Sequence, residues 1–472
     1  MNKKIIALMT LLIAVAILFC GCGENFSYGP IAGEDYSQSK VIGNGGMAVT
    51  QGNYLYFING VSNYTDDNTF GNVVKGAIMR YALDTNGKVT GEPVTIVPKK
   101  VYSSSANAGI YVFDEWIYYV TPSNVTNSEG AIQTSYIEFY RTKTDGTATQ
   151  MIHRINGNST EYVFSANALT YYLNGTLYSV KLDGKFETKT ISEDVASYLF
   201  PRETEYDPSS TTKDGDQYVY YTKASENESD TNNELWVASM DGEFNEKVIG
   251  KLSYFSAEDQ EKYQNPTTPE EYPDYSKIYT ITLKKYSNGV LYYTKQYYAN
   301  GSANDAGVFS YDIEKDYLNA SEIKFDASKE VKYSSTVYNT IYAYETGKVI
   351  ASDGSKLWVL ETGKEKVSLF PSNVTILAIH GGYMYYTQSS SNDIYKFNLN
   401  CDESAKKVTV STPDSTWLKA EMIGGVIYYI QPDYDYVYRI DTSLSSDSEE
   451  YDVMLGKYNQ ADADAIAEAE EE

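Results

Sequence analysis

Leu291-Tyr292-Tyr293-Thr294 is the stretch on which the fold turns. Its residue types favour extended backbone, and two adjacent tyrosines on a strand point to opposite faces of a sheet. The same core recurs as Ile117-Tyr118-Tyr119-Val120, Thr170-Tyr171-Tyr172-Leu173, Val219-Tyr220-Tyr221-Thr222, Met384-Tyr385-Tyr386-Thr387 and Ile427-Tyr428-Tyr429-Ile430. Leu55-Tyr56-Phe57-Ile58 is a close variant and Lys348-Val349-Ile350-Ala351 a degenerate one. The surroundings repeat as well. Each core is followed, after a loop of varied length, by a second strand opening on an aromatic: Tyr81, Tyr140, Tyr178, Trp236, Tyr311, Trp358, Tyr395 and Tyr438. Tight turns then lead to a further β-branched strand, and Asn86-Gly87, Asp145-Gly146, Asp183-Gly184 and Asp241-Gly242 are dipeptides that supply the positive φ such turns need. A short apolar segment precedes each core, as in Met47 to Thr50, Tyr162 to Ser165 and Tyr279 to Leu283.

Each unit therefore holds four strands, and a four-stranded sheet of this size cannot bury both faces alone. Units recurring at about 40 to 60 residues bury them against one another in a ring. The expected fold is all-β, a β-propeller of eight four-stranded blades. Seven is the alternative, because the sixth unit, Val331 to Phe370, is degenerate. The chain has 48 tyrosines in 472 residues. Most fall on these strands, which makes them packing between blades, with their hydroxyls seeking partners at the sheet edges.

The cores Val219 to Lys223, Leu291 to Lys295 and Met384 to Gln388 are similar to the Tyr-Trp-Thr-Asp propeller repeats of the low-density-lipoprotein-receptor type. They also resemble the Tyr-rich propeller domains of bacterial lipoproteins of unknown function. Here Tyr replaces the Trp, and Lys or Gln replaces the Asp. The resemblance implies the fold and a binding role, and no functional residue is carried over from it.

The N-terminus opens on Lys3 and Lys4, continues with an apolar run from Ile5 to Phe19 and ends on Gly21-Cys22, the order of a secretory signal peptide. The apolar run is shorter than the roughly 20 residues a spanning helix requires. Leu18-Phe19-Cys20-Gly21-Cys22 resembles the lipobox of bacterial lipoproteins, with Phe19 where that family prefers Leu. The resemblance implies cleavage before Cys22 and lipid on its sulfur, placing the protein on the extracytoplasmic side of a cell membrane. Two or more acyl chains anchor stably, whereas one does not. The expected organisation is a signal peptide at 1–21, a lipidated flexible tether at 22–40, the propeller at 41–457 and an acidic disordered tail at 458–472. Cys401 would be the sole thiol of the mature body, so no intramolecular disulfide could form.

The chain carries 38 basic and 64 acidic side chains. Two lysines and no acid leave with the signal peptide, so the mature charge is 36 minus 64, or −28. A phosphate backbone needs a basic patch, and this sign excludes nucleic acid as an expected partner.

Insertions between core and follower cluster in unit one (59–76), unit two (122–135), unit four (223–233) and unit five (295–307). In a propeller these loops share a face with the connections between blades, so they define the expected binding face, together with the long connection 251–277 and its Tyr254, Tyr263, Tyr272 and Tyr275. Candidate contacts there are Tyr64, Tyr136, Tyr297, Tyr298, Asp230 and Asp305, since tyrosine offers large contact area at low entropic cost. The expected partner is a surface protein or glycan, bound without catalysis.

No catalytic residue, metal or cofactor is assigned. His153 and His380 stand outside any metal-ligand spacing. Gly43-Asn44-Gly45-Gly46 resembles a phosphate loop only superficially, because it precedes a strand rather than a helix. Asp214-Gly215-Asp216 fits a turn better than a calcium loop. A carbohydrate-active enzyme is the alternative function, requiring two carboxylates converging at the channel. An envelope assembly factor ranks third, because the regular Gly-Trp blade ends of the eight-bladed outer-membrane lipoproteins are missing.

Overall fold

The structure, a computed structural model, describes residues 38–60, 75–101, 109–202, 204–210, 217–224, 233–264, 266–345, 347–368, 374–388, 391–399, 406–408, 419–430, 437–446, 448 and 451–455. It is an eight-bladed β-propeller. Every blade is an antiparallel meander of four strands consecutive in sequence, except where blade four takes an insertion between its first two strands. The degenerate sixth unit is a complete blade, built from Thr340–Glu345, Lys348–Ser352, Leu357–Glu361 and Val367–Ser368, so seven blades are excluded. Its start lies later than the sequence suggests, for Val331–Ser334 is the outer strand of blade five.

The tyrosine doublets do what adjacent strand residues must. Tyr220 packs between blades four and five while Tyr221 packs between three and four. Tyr292 and Tyr293 divide in the same way, as do Tyr385 and Tyr386. The second ring of each doublet stacks on the aromatic opposite it in the next strand: Tyr119 on Tyr140, Tyr221 on Trp236, Tyr386 on Tyr395 and Tyr429 on Tyr438. Their centroids are 6.0, 6.3, 5.7 and 5.0 Å apart, the range of offset aromatic stacking. The other blades depart from this spacing: in blade one Tyr81 lies opposite Leu55 and in blade six Trp358 opposite Ala351. In blade five Tyr293 faces Phe309, and Tyr311 lies opposite Leu291. In blade three the doublet is displaced by one residue, so Tyr171 takes the second position on Tyr178, and Thr170 turns toward blade four, donating to Met240 O.

Ring closure needs no shared strand. Tyr428, Val437 and Leu455 of blade eight join Tyr56, Phe57 and Ile78 of blade one in a single buried cluster. A second device spans the channel. Val41–Ile42 pairs with the inner strand Ala48–Gln51 of blade one and, on its other side, with Glu205–Tyr206 from the blade-four insertion. Asn44 then clasps the inner strand of blade two through both amide atoms, at 3.1 and 2.7 Å from the backbone of Val112. The backbone N–H groups of Gly43, Asn44, Gly45 and Gly46 donate to Thr204, Thr204, Ile110 and Gly43. This loop has no N–H left for a phosphate; it is a structural crossing.

Candidate functional site

The pairing directions fix the two faces of the ring. The chain enters beside Val41, which lies opposite Gln51 at the end of blade one's inner strand, where inner strands turn into second strands. The opposite face carries the second-to-third strand loops and the links between blades. There the connection from blade four to blade five is locally folded. Helix Ala257–Gln264 is capped by Ser256, whose hydroxyl accepts from Asp259 N at 3.1 Å. The Glu271 carboxylate gathers Thr267 N and Thr267 Oγ1 at 2.6 and 2.7 Å and Thr268 N at 3.2 Å, which draws it below the ordinary carboxylate range. Asp274 accepts from Ser276 N and Oγ, starting the final turn before the blade.

This connection and the outer strand of blade four, Asn245–Ile249, enclose a groove of about 590 Å³. Tyr263, Tyr272 and Tyr275 line it with Gln260, Gln264 and Glu234. Tyr272 and Tyr275 are 53% and 52% exposed, so much of their surface is free for contact. Tyr263 is set by an edge-on contact with Phe255, and Glu234 is held at 2.7 Å from Lys247. Aromatic faces bordered by carboxamides and hydroxyls suit a ligand that is apolar on its ring faces and polar at its edges.

Beside the groove, blade five carries a buried brace that the sequence did not signal. Lys295 lies 2.6 Å from Glu330, with side chains 3% and 6% exposed. The ammonium sits 3.7, 4.2 and 4.8 Å from the ring centroids of Phe309, Tyr254 and Tyr279. Tyr254 and Tyr293 both donate their hydroxyls to Glu330. Burial pushes the Lys295 ammonium below its ordinary range, against the pull of Glu330, and holds the Tyr254 and Tyr293 phenols far above theirs. The brace fixes the floor on which the connection rests.

The expected contacts divide accordingly. Tyr297, Tyr298 and Asp305 share one element, but it is not a loop: Val290–Ala299 and Ser302–Asp312 continue as a hairpin closed by Asn300-Gly301, both at positive φ. Tyr298 is exposed, Tyr297 packs edge-on against Tyr279, and Asp305 accepts from Gln296 and Val337 N. Tyr136 begins the third strand of blade two, opposite Asn156, so it stands on the same face as the groove but in blade two, and it does not line the groove. Cys22, Tyr64, Asp230 and Cys401 lie outside the described residues. His153 contacts the Tyr171 hydroxyl at 3.1 Å, a packed side chain whose ring burial lowers its pKa. At the channel, Glu205 pairs with Lys40 at 2.6 Å and Glu421 accepts from Met47 N. Among the described residues no His, Cys, Asp and Glu cluster is of a size to hold a metal, and no helix is long and apolar enough to cross a membrane.

No protein-family model matches the chain, and no curated protein does. Solved structures match it weakly. Sqt1 of Saccharomyces cerevisiae is 8% identical at a TM-score of 0.40, over 89% of this chain and 96% of that one. Apo AztD of Citrobacter koseri is 8% identical at 0.36, over 82% and 92%. The β-propeller domain of the Trilobed protease of Pyrococcus furiosus is 10% identical at 0.37, over 87% and 94%. Likenesses this distant leave the strand order as the ground for the fold, and on that ground the chain is a β-propeller.

Proposed function

We propose that the chain is an exported lipoprotein, cleaved before Cys22 and anchored there by lipid, whose propeller is a noncatalytic module binding a surface glycan. The observation that carries the binding role is the convergence of Tyr263, Tyr272 and Tyr275 with Gln260 and Gln264 in one groove. Pyranose rings have apolar faces and hydroxyl edges, which tyrosine faces and carboxamides match. The tether supports the same reading. The chain joins the propeller at Lys40 on the face opposite the groove. A lipid at Cys22 would then leave the groove turned from the membrane.

A glycan array probed with the body from Gly23 onward tests the binding role. The expected result is a hit whose affinity falls at least about tenfold in Tyr272→Ala/Tyr275→Ala. Absence of any hit, or a hit indifferent to both substitutions, would overturn it. For the anchor, metabolic palmitate labelling should mark the wild-type chain and not Cys22→Ser, which should leave the membrane fraction.

A further inference from the structure

The other face has a concavity of its own, a cavity of about 630 Å³ at the mouth of the central channel. Its walls are apolar at Leu199, Phe200, Leu377, Met422 and Ile423. Two cations stand among them. Arg202 comes from the insertion that crosses the channel, and among the described residues its guanidinium makes one hydrogen bond, Nη1 to Gly45 O at 3.2 Å. Lys285 comes from the inner strand of blade five, Tyr279–Ser287, directly after a bulge at Lys284. A bulge re-aims the side chains on either side of it. Lys284 is thereby directed to Asn339 O at 3.2 Å, while Lys285 lines the cavity and has neither hydrogen bond nor ion pair among the described residues.

This placement runs against the composition of the chain. Against 64 acids and 38 bases in the chain as a whole, two cations are brought together at one cavity. The two carboxylates lining the same cavity are committed elsewhere, Glu205 to Lys40 and Glu421 to Met47 N. Lys285 is open to channel water yet ringed by protein. That surrounding, and next the charge of Arg202, lower its pKa. An oxyanion would relieve both effects, with the guanidinium fork holding two oxygens and the ammonium reaching another.

We propose that the channel mouth binds a small organic anion, its oxygens bridging Arg202 and Lys285 and its apolar body lying against Phe200 and Ile423. The volume lies within the range of small-molecule sites. This site is independent of the glycan groove and stands if the groove fails.

Calorimetric titration of the detergent-solubilised full chain with benzoate and with phenyl phosphate tests it. Saturable binding of either probe is expected, weakened by salt. Arg202→Met and Lys285→Met should each raise Kd at least about tenfold without lowering the melting temperature. Benzoate alone binding assigns a carboxylate ligand; phenyl phosphate alone assigns a phosphoryl ligand. On the wild-type protein, saturating probe should also slow acetylation of Lys285 by acetic anhydride and leave exposed Lys185 unaffected. Binding by neither probe, binding indifferent to both substitutions, or acetylation of Lys285 at an unchanged rate would overturn the proposal.

Discussion

At the scale of single residues, the most consequential side chain is one whose sequence context is silent. Lys295 ends a tyrosine core and resembles the exposed end of a strand, yet it is buried against Glu330 inside three rings. Removing one partner strands the other charge in a poorly solvated place. Glu330→Gln is therefore expected to cost about 3 to 5 kcal/mol in urea denaturation, and Lys295→Met/Glu330→Leu to recover most of that loss. If the double variant proves as unstable as the single one, the brace is not an ion pair of this kind. Sequence could not find Glu330, because it sits in a polar segment 35 residues away with no periodic marker. The tyrosine doublets were legible for the opposite reason. Their period of two and their repetition state which faces they cover, and only local packing reveals the one-residue displacement at Tyr171.

At the scale of elements, the insertion at 295–307 continues the blade as paired strands because its central Asn300-Gly301 supplies the two positive φ values of a tight hairpin turn. That signal stands in the sequence as the Asn300-Gly301 dipeptide. Where the hairpin leaves the blade, Gly307 has φ +127 and lies so close to the outer strand that a Cβ would fall 1.8 Å from Ser334 O. Gly307→Ala should cost about 2 kcal/mol or more in thermal unfolding and speed amide exchange in Val331–Ser334. Unchanged stability would show that the outer strand yields freely. The connection at 251–277 lies on the face of the second-to-third strand loops, as a link between blades must. Its helix and caps could not be read beforehand, since the helix buries none of its residues and so lacks an apolar stripe.

For the whole molecule, the tyrosines packed within and between its blades also set its limit in alkali. Burial raises Tyr140, Tyr171, Tyr292 and Tyr317 to about 12. The unfolded chain releases those protons near pH 10, whereas the folded chain retains them. Their contribution to stability is thus complete below pH 10 and is lost as pH rises toward 12. Absorbance at 295 nm should show tyrosinate appearing late and together with loss of the circular dichroism of the fold. Titration of most tyrosines near pH 10 with the fold intact would contradict that packing.

The same global geometry separates two faces, one where the chain enters beside the channel mouth and one bearing the tyrosine groove of blades four and five. Hydrogen exchange of the protein with and without its strongest glycan from the array tests this division most directly. The account predicts protection within 251–277 and over the adjoining strand Asn245–Ile249, with none at Gly43 to Met47 or Ser287 to Asn288. Protection confined to those channel-mouth segments, or no protection in the groove, would contradict it.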